Sequence, residues 1–194
     1  MGESENKEKI IIAAIELANG KRLNHLGAEA LTLHSGISED EVRRVFPNCG
    51  MLSAGIFQWA THNLMVQIEY AALRNKPPLE VLEDIFHVHV AFLVSHSTLP
   101  TLLLEALAMP EGGTELRHRI GTLLEDYEAN LALLLHLARK DEIVRPDFDP
   151  AIAAKLFVYL IQGLAMRSIT WGATETLLHE GRKVWQQYLH GIRA

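Results

Sequence analysis

Cysteine is nearly missing from this chain. Cys49 is the only one among 194 residues, so no disulfide can form within it. A reducing compartment, the cytoplasm, is therefore the expected home. Cations are in deficit too, with 18 lysines and arginines against 24 acids and a net charge of −6. That balance excludes a surface that coats nucleic acid generally, while leaving room for a local basic patch. The first nine residues are polar and charged, without the apolar stretch of a secretion signal. Long apolar runs are interrupted. Residues 85–104 contain no acid, lysine or arginine, but His87, His89 and the run Ser95-His96-Ser97-Thr98-Leu99-Pro100 break them. Residues 152–169 carry Lys155, Gln162, Arg167 and Ser168. Both read as buried helices of a soluble protein, with no membrane partner expected. Period-two alternation between hairpin turns is absent, so no strand is expected. No nucleophile elbow, H-E-x-x-H or phosphate loop occurs, so neither an enzyme, a catalytic residue nor a cofactor is expected.

What the chain does have is apolar content, 48% against 22% charged residues, enough for a packed core. Apolar residues recur three and four apart almost throughout, which predicts an all-α fold of about nine helices. The first covers 7–19, with Ile11, Ala14, Ile15 and Ala18 inward and Gly20 as its C-terminal cap. The second covers 28–34. Ser35-Gly36 then supplies a tight turn, where glycine can take a positive φ. Ser38 starts the third helix, and Ser38 with Glu41 fits a capping box. Phe46-Pro47 ends it. Asn48 caps a fourth helix reaching about 75, with Leu52, Ile56, Trp59, Val66, Tyr70 and Leu73 as its stripe. Helices follow at 79–96, 100–109 and 114–139, with a turn at 110–113. Asp149 caps the eighth, with Pro150 in its first turn, and the ninth covers 174–192. Three short helices thus precede residue 50 and longer, more apolar ones follow. This gives two expected domains, 1–50 and 51–194.

Residues 31–52 resemble the DNA-binding head of the TetR (tetracycline-repressor) family of regulators. The matching residues are Leu31, Ser35-Gly36-Ile37-Ser38, Val42, Arg44, Phe46-Pro47 and Leu52. Upstream, Ile10-Ile11-Ile12-Ala13-Ala14 and Leu17 resemble that family's first helix. Asp147-Phe148-Asp149-Pro150, Ala153-Ala154, Leu156 and Gln162-Gly163-Leu164 resemble its dimerisation helix. The resemblance implies a helix-turn-helix head on a ligand-binding and dimerisation domain. It implies a transcription regulator: a repressor relieved by a hydrophobic small-molecule effector, working as a homodimer on a duplex DNA operator. Ligand binding would tilt the fourth helix and change the spacing of the two heads, so ligand and DNA would oppose each other.

The residues of the head pull partly against that implication. Residues 1–50 hold six cations and eight acids. Glu39, Asp40 and Glu41 stand at the start of the DNA-reading helix, where the family usually has a small residue or Thr in place of Asp40 and Glu41. Acids there gain from the helix dipole but repel phosphate. Candidate DNA contacts are Ser38, Arg43 and Arg44, with Lys21 and Arg22 as outlying phosphate partners. The alternative is a protein of this fold that has lost ordinary DNA binding and serves as a ligand-binding or protein-docking module. Cys49, at a helix start, is a candidate oxidant-sensitive thiol or an inert small residue.

Helical spacing selects the sensing residues: Trp59, His62, Asn63 and Val66 on the fourth helix; His89, Phe92, Leu93 and His96 on the fifth; Tyr127 and Leu131 on the seventh. Such a lining is mostly apolar with a few orienting polar groups. The ten histidines do not amount to a metal site. His87 and His89 point about 200° apart on a helix, and His89 and His96 lie two turns apart. The eighth helix is apolar almost all round, which calls for cover on two sides. Tyr159, Gly163, Arg167, Trp185 and Tyr188 are the candidates for a four-helix dimer interface.

Overall fold

The computed structural model describes residues 2–18, 23–72, 76–109, 113–172 and 175–194. Gly20, Lys21, Arg22, Leu73 and most of the 110–113 turn lie outside these. Among the described residues the chain is all-helical: α1 (Gly2–Leu17), α2 (Ala28–Ser35), α3 (Glu39–Val45), α4 (Cys49–Ala72), α5 (Pro78–Ser95), α6 (Leu99–Ala108), α7 (Gly113–Lys140), α8 (Pro150–Trp171) and α9 (Glu175–Ile192). One turn of 3-10 helix, Leu23–His25, precedes α2. An isolated bridge pairs Val144 with Arg193.

Two compact units emerge, residues 1–63 with 98–119 and residues 64–97 with 120–194. They do not coincide with 1–50 and 51–194, because α4 and α7 each contribute one end to either unit. In the first unit α1 packs on α2 and α2 on α3. Ile10, Ala14, Leu31 and Val42 are buried there. Gly36 ends α2 at φ 71°, and its N–H donates to the Thr32 carbonyl. A side chain there would be strained, so the α2–α3 turn requires glycine. Asn48 caps α4 as expected, accepting from the Met51 N–H at 2.8 Å. The capping box does not form. Ser38 has cap-like extended backbone but no side-chain cap bond. The Glu41 carboxylate is instead held by two nitrogens of Arg44, at 2.8 and 2.9 Å.

In the second unit α5 packs on α8 and α9, and α8 on α9. Its centre is aromatic: Phe86 meets the Phe157 ring edge-on at 5.4 Å and the Trp185 ring at 5.5 Å. Gly181 permits the close passage of α9 over α5, since a Cβ there would sit 2.9 Å from a Val90 methyl. Asp149 caps α8 by accepting from the Ala151 N–H at 2.9 Å.

The α4 stripe departs from expectation. Leu52 and Ile56 are buried, but Val66 and Tyr70 are exposed, and Ile68 is buried in their stead. Ile68 lies roughly 160° around the helix from Leu52. The helix buries one face in the first unit and nearly the opposite face in the second, which a single stripe cannot describe.

Candidate functional site

The exposed face of α3 is built from charges that answer one another. Arg43 reaches back one turn to Glu39, at 2.9 Å from Nε and 2.5 Å from Nη2. Arg44 grips Glu41 and also reaches Glu3 on α1 at 3.1 Å. These hydrogen bonds hold the Glu41 carboxyl below its usual range and the Arg44 guanidinium above its own. Lys9 pairs with Glu5 at 2.7 Å. Both arginines expected to touch phosphate are therefore already engaged by carboxylates. Ser38 is exposed beside them; Lys21 and Arg22 lie outside the described residues.

Cys49 is a free, half-buried thiol. Burial pushes its pKa up, Ser53 draws it down, and Glu105 adds to the rise. Taken together these make the thiol less acidic than an ordinary cysteine.

The sensing candidates divide. His89, Phe92, Leu93, His96, Tyr127 and Leu131 belong to the second unit, and His89, Phe92 and Leu131 are buried in it. The His96 ring stacks on Phe92 at 4.3 Å. His89 Nδ1 lies 3.0 Å from the Ile85 carbonyl. A carbonyl only accepts, so the proton is on Nδ1. Burial holds the His89 pKa down to about 4, and the ring is neutral at pH 7. Its Nε2 lone pair has no hydrogen bond among the described residues. The Tyr127 hydroxyl lies 3.5 Å from Nδ1. Because Nδ1 carries a proton, that hydroxyl cannot donate to it. Burial also pushes the Tyr127 pKa up, so the phenol stays neutral. Both groups are thus uncharged at neutral pH, and their rings lie 5.4 Å apart.

Trp59, His62 and Asn63 fall in the first unit. The Trp59 indole donates to Glu8 at 3.4 Å, and the Asn63 amide donates to the Trp59 carbonyl at 2.8 Å. His62 is exposed, as is Val66. The rotation of the buried face along α4 removes these two from an inward lining. An open groove of about 770 Å³ lies elsewhere, between the C-terminal part of α7 and the start of α8. Leu133, His136, Arg139 and Phe148 line it. Among the described residues no group of three or more metal-ligating side chains converges.

The dimer candidates divide as well. Trp185 and Tyr188 are buried among Phe86 and Phe157, and the Tyr188 hydroxyl donates to the Ala153 carbonyl at 3.0 Å. They belong to the protein's own core and have no surface to offer a partner, which corrects their assignment. The reason is the heptad of α9, which places Leu177, Gly181, Trp185, Tyr188 and Ile192 on its one buried face. On α8, Tyr159 and Gly163 are exposed, and Arg167 pairs with Glu180 and lies over the Trp171 ring at 4.8 Å. This helix is also long and apolar enough to cross a membrane by length and composition. A third of its most apolar window is buried within the protein.

No protein-family model matches the sequence, and no curated protein matches it. Solved structures do. A TetR transcription regulator from Haloarcula marismortui superposes with a TM-score of 0.83 at 16% identity, covering 98% of this chain and 100% of the other. The fold is that of the TetR regulators. The fatty acid degradation regulator FadR from Bacillus halodurans aligns with a TM-score of 0.80 at 18% identity, over 96% and 95% of the two chains. SmeT, in a complex with triclosan, aligns with a TM-score of 0.76 at 16% identity, over 97% and 92%. The likeness spans nearly the whole chain, from α1 to α9.

Proposed function

We propose that this protein is a cytoplasmic transcription regulator, a homodimer that binds a duplex operator through residues 1–50 and is released by a small molecule held in residues 51–194. The observation that carries the reading is the full-length TetR fold, including a glycine-turned α2–α3 pair in the position of a helix-turn-helix. In the sensing domain, the neighbouring His89 and Tyr127 are both uncharged, and Phe92 and Leu131 are buried in the same unit. That favours an apolar effector carrying a neutral polar group such as a hydroxyl. The relatives of known ligand are consistent in kind, since SmeT was captured with triclosan. Release by ligand follows from linkage: whatever prefers the ligand-bound conformer disfavours the DNA-bound one by the same free energy.

A second reading has its own observation. Arg43 and Arg44 are engaged by Glu39, Glu41 and Glu3, so DNA must displace carboxylates before it gains a phosphate contact. A protein of this fold with such a head could bind ligand, or dock a basic protein, without an operator. Selection of bound fragments from a genomic library, followed by anisotropy with labelled fragments, separates the two. Enrichment of a discrete, near-palindromic sequence supports the regulator. Absence of any enriched sequence supports the docking module.

A further inference from the structure

The head encloses a small apolar cavity of about 140 Å³. Its walls are the buried side chains of Leu23, Leu31, Val42, Phe46 and Leu52. They come from the 3-10 turn, α2, α3 with the residue that ends it, and α4. Close-packed interiors rarely leave a gap of this size. Two contacts keep this one from closing. The Phe46 ring is drawn against Gly55 on α4, where a Cβ would stand 2.8 Å from it. The Leu23 N–H donates to the Glu105 carboxylate on α6 at 3.1 Å, which holds the 3-10 turn in place. Small residues at two further lining positions, Ala28 and Cys49, both half-buried, add to the space.

Walls of this kind do not retain water, which needs several polar partners, whereas a dry cavity of about 150 Å³ lined by Leu, Ile and Phe takes up a benzene ring. The cavity opens at Arg43, Pro47 and Asn48, the exposed members of its lining. Asn48 accepts from the Met51 N–H through Oδ1, which leaves its amide N–H groups to donate. Arg43 bonds Glu39 through Nε and Nη2, which leaves Nη1. Neither group has another hydrogen bond among the described residues. The rim therefore offers donors to an apolar interior, and the Glu39 carboxylate beside Arg43 disfavours a second negative charge.

We infer that this cavity binds a small neutral molecule with a single ring and an acceptor oxygen, the ring inside and the oxygen at Asn48 and Arg43. The site is separate from the sensing residues of α5 and α7, and it stands whether or not the head reads an operator. Methyl NMR of the full chain titrated with acetophenone tests it. The Leu31, Val42 and Leu52 methyl signals are expected to shift and saturate with a Kd of about 1 mM or tighter, the scale of a ligand with so few atoms. Ala28→Leu and Cys49→Leu each put a larger side chain into the cavity, and each is expected to weaken binding at least about 10-fold. Melting curves show that they stay folded, and either variant alone suffices. Leu33→Ala, at an exposed position of α2 outside the lining, is expected to bind as wild type does. Toluene, the same ring without the oxygen, is expected to bind roughly 5-fold more weakly. No shift, shifts confined to the methyls of Leu93 and Leu131, or filled variants that bind as tightly as wild type overturn the site. Toluene as tight as acetophenone overturns the part assigned to Asn48 and Arg43.

Discussion

The outer faces of α3 and α8 are both exposed, and they solve opposite problems. On α3 the side chains are charged and satisfied: Arg43 by Glu39, Arg44 by Glu41 and Glu3. On α8 Ile152, Leu156, Tyr159 and Met166 are apolar and exposed. A charged face closed on itself is stable in water and must be opened to bind. An apolar stripe is costly in water and gains by being covered. The same exposure therefore means a self-paired charged surface at one end of the sequence and an open apolar one at the other.

Four experiments sharpen or break that contrast. The largest effect separates α9 from α8. Trp185→Ala empties a buried aromatic site and is expected to cost about 3–5 kcal/mol of unfolding free energy. Tyr159→Ala, at an exposed site on α8, is expected to change stability by less than about 1 kcal/mol. Equal losses in thermal or urea denaturation would mean that both aromatics face the same interior. The second effect separates the two units by pH. His89 has a folded pKa of about 4, below its unfolded value near 6.5, so the unfolded state takes up the proton first. Stability is fully present above about pH 6.5 and falls as pH drops toward 4, by about 3 kcal/mol at the limit. The Glu41 pair behaves differently. Its carboxyl is depressed, so its contribution persists until pH falls below the ordinary carboxylate range. Urea titrations at several pH values should show the loss between pH 6.5 and 4.5, and His89→Leu should abolish it.

The third effect acts on the guarded face. Replacing Glu3, Glu39 and Glu41 together with glutamine frees both arginines and removes three like charges from the approach of phosphate. Affinity for duplex DNA is expected to rise about 10-fold at low salt, read by anisotropy. A fall would show that the carboxylates position the arginines rather than occupy them. The smallest effect compares two caps. Asn48→Ala and Asp149→Ala are each expected to cost about 1 kcal/mol in thermal denaturation, one at the start of α4 and one at the start of α8.

Much of this was legible in the sequence, and the failures are informative. Gly36, Asn48 and Asp149-Pro150 mark element ends through local chemistry, and the structure uses each as its type suggests. The seven-residue α3 needed no more than Ser38, Phe46 and Pro47 to bound it. The capping box failed because Glu41 had a stronger partner three residues away in Arg44, and sequence spacing alone does not rank two competing partners. The Val66 and Tyr70 stripe failed because α4 serves two units and changes its buried face between them. Trp185 and Tyr188 sit at interior positions of an amphipathic helix, and amphipathicity does not say whether the covering surface belongs to the same chain or another. Spacing placed His89 and Tyr127 on inward faces, but the histidine tautomer follows only from the Ile85 carbonyl beside Nδ1.

The measurement that bears most directly on the regulator reading is anisotropy with the selected duplex, comparing wild type with Arg43→Gln/Arg44→Gln as salt rises from about 50 to 200 mM. The account predicts sequence-selective wild-type binding that weakens steeply over that range, and a double variant at least about 100-fold weaker with a shallower slope. Binding that is insensitive to salt and unchanged in the double variant would contradict it, and would assign the guarded face of α3 to a partner other than DNA.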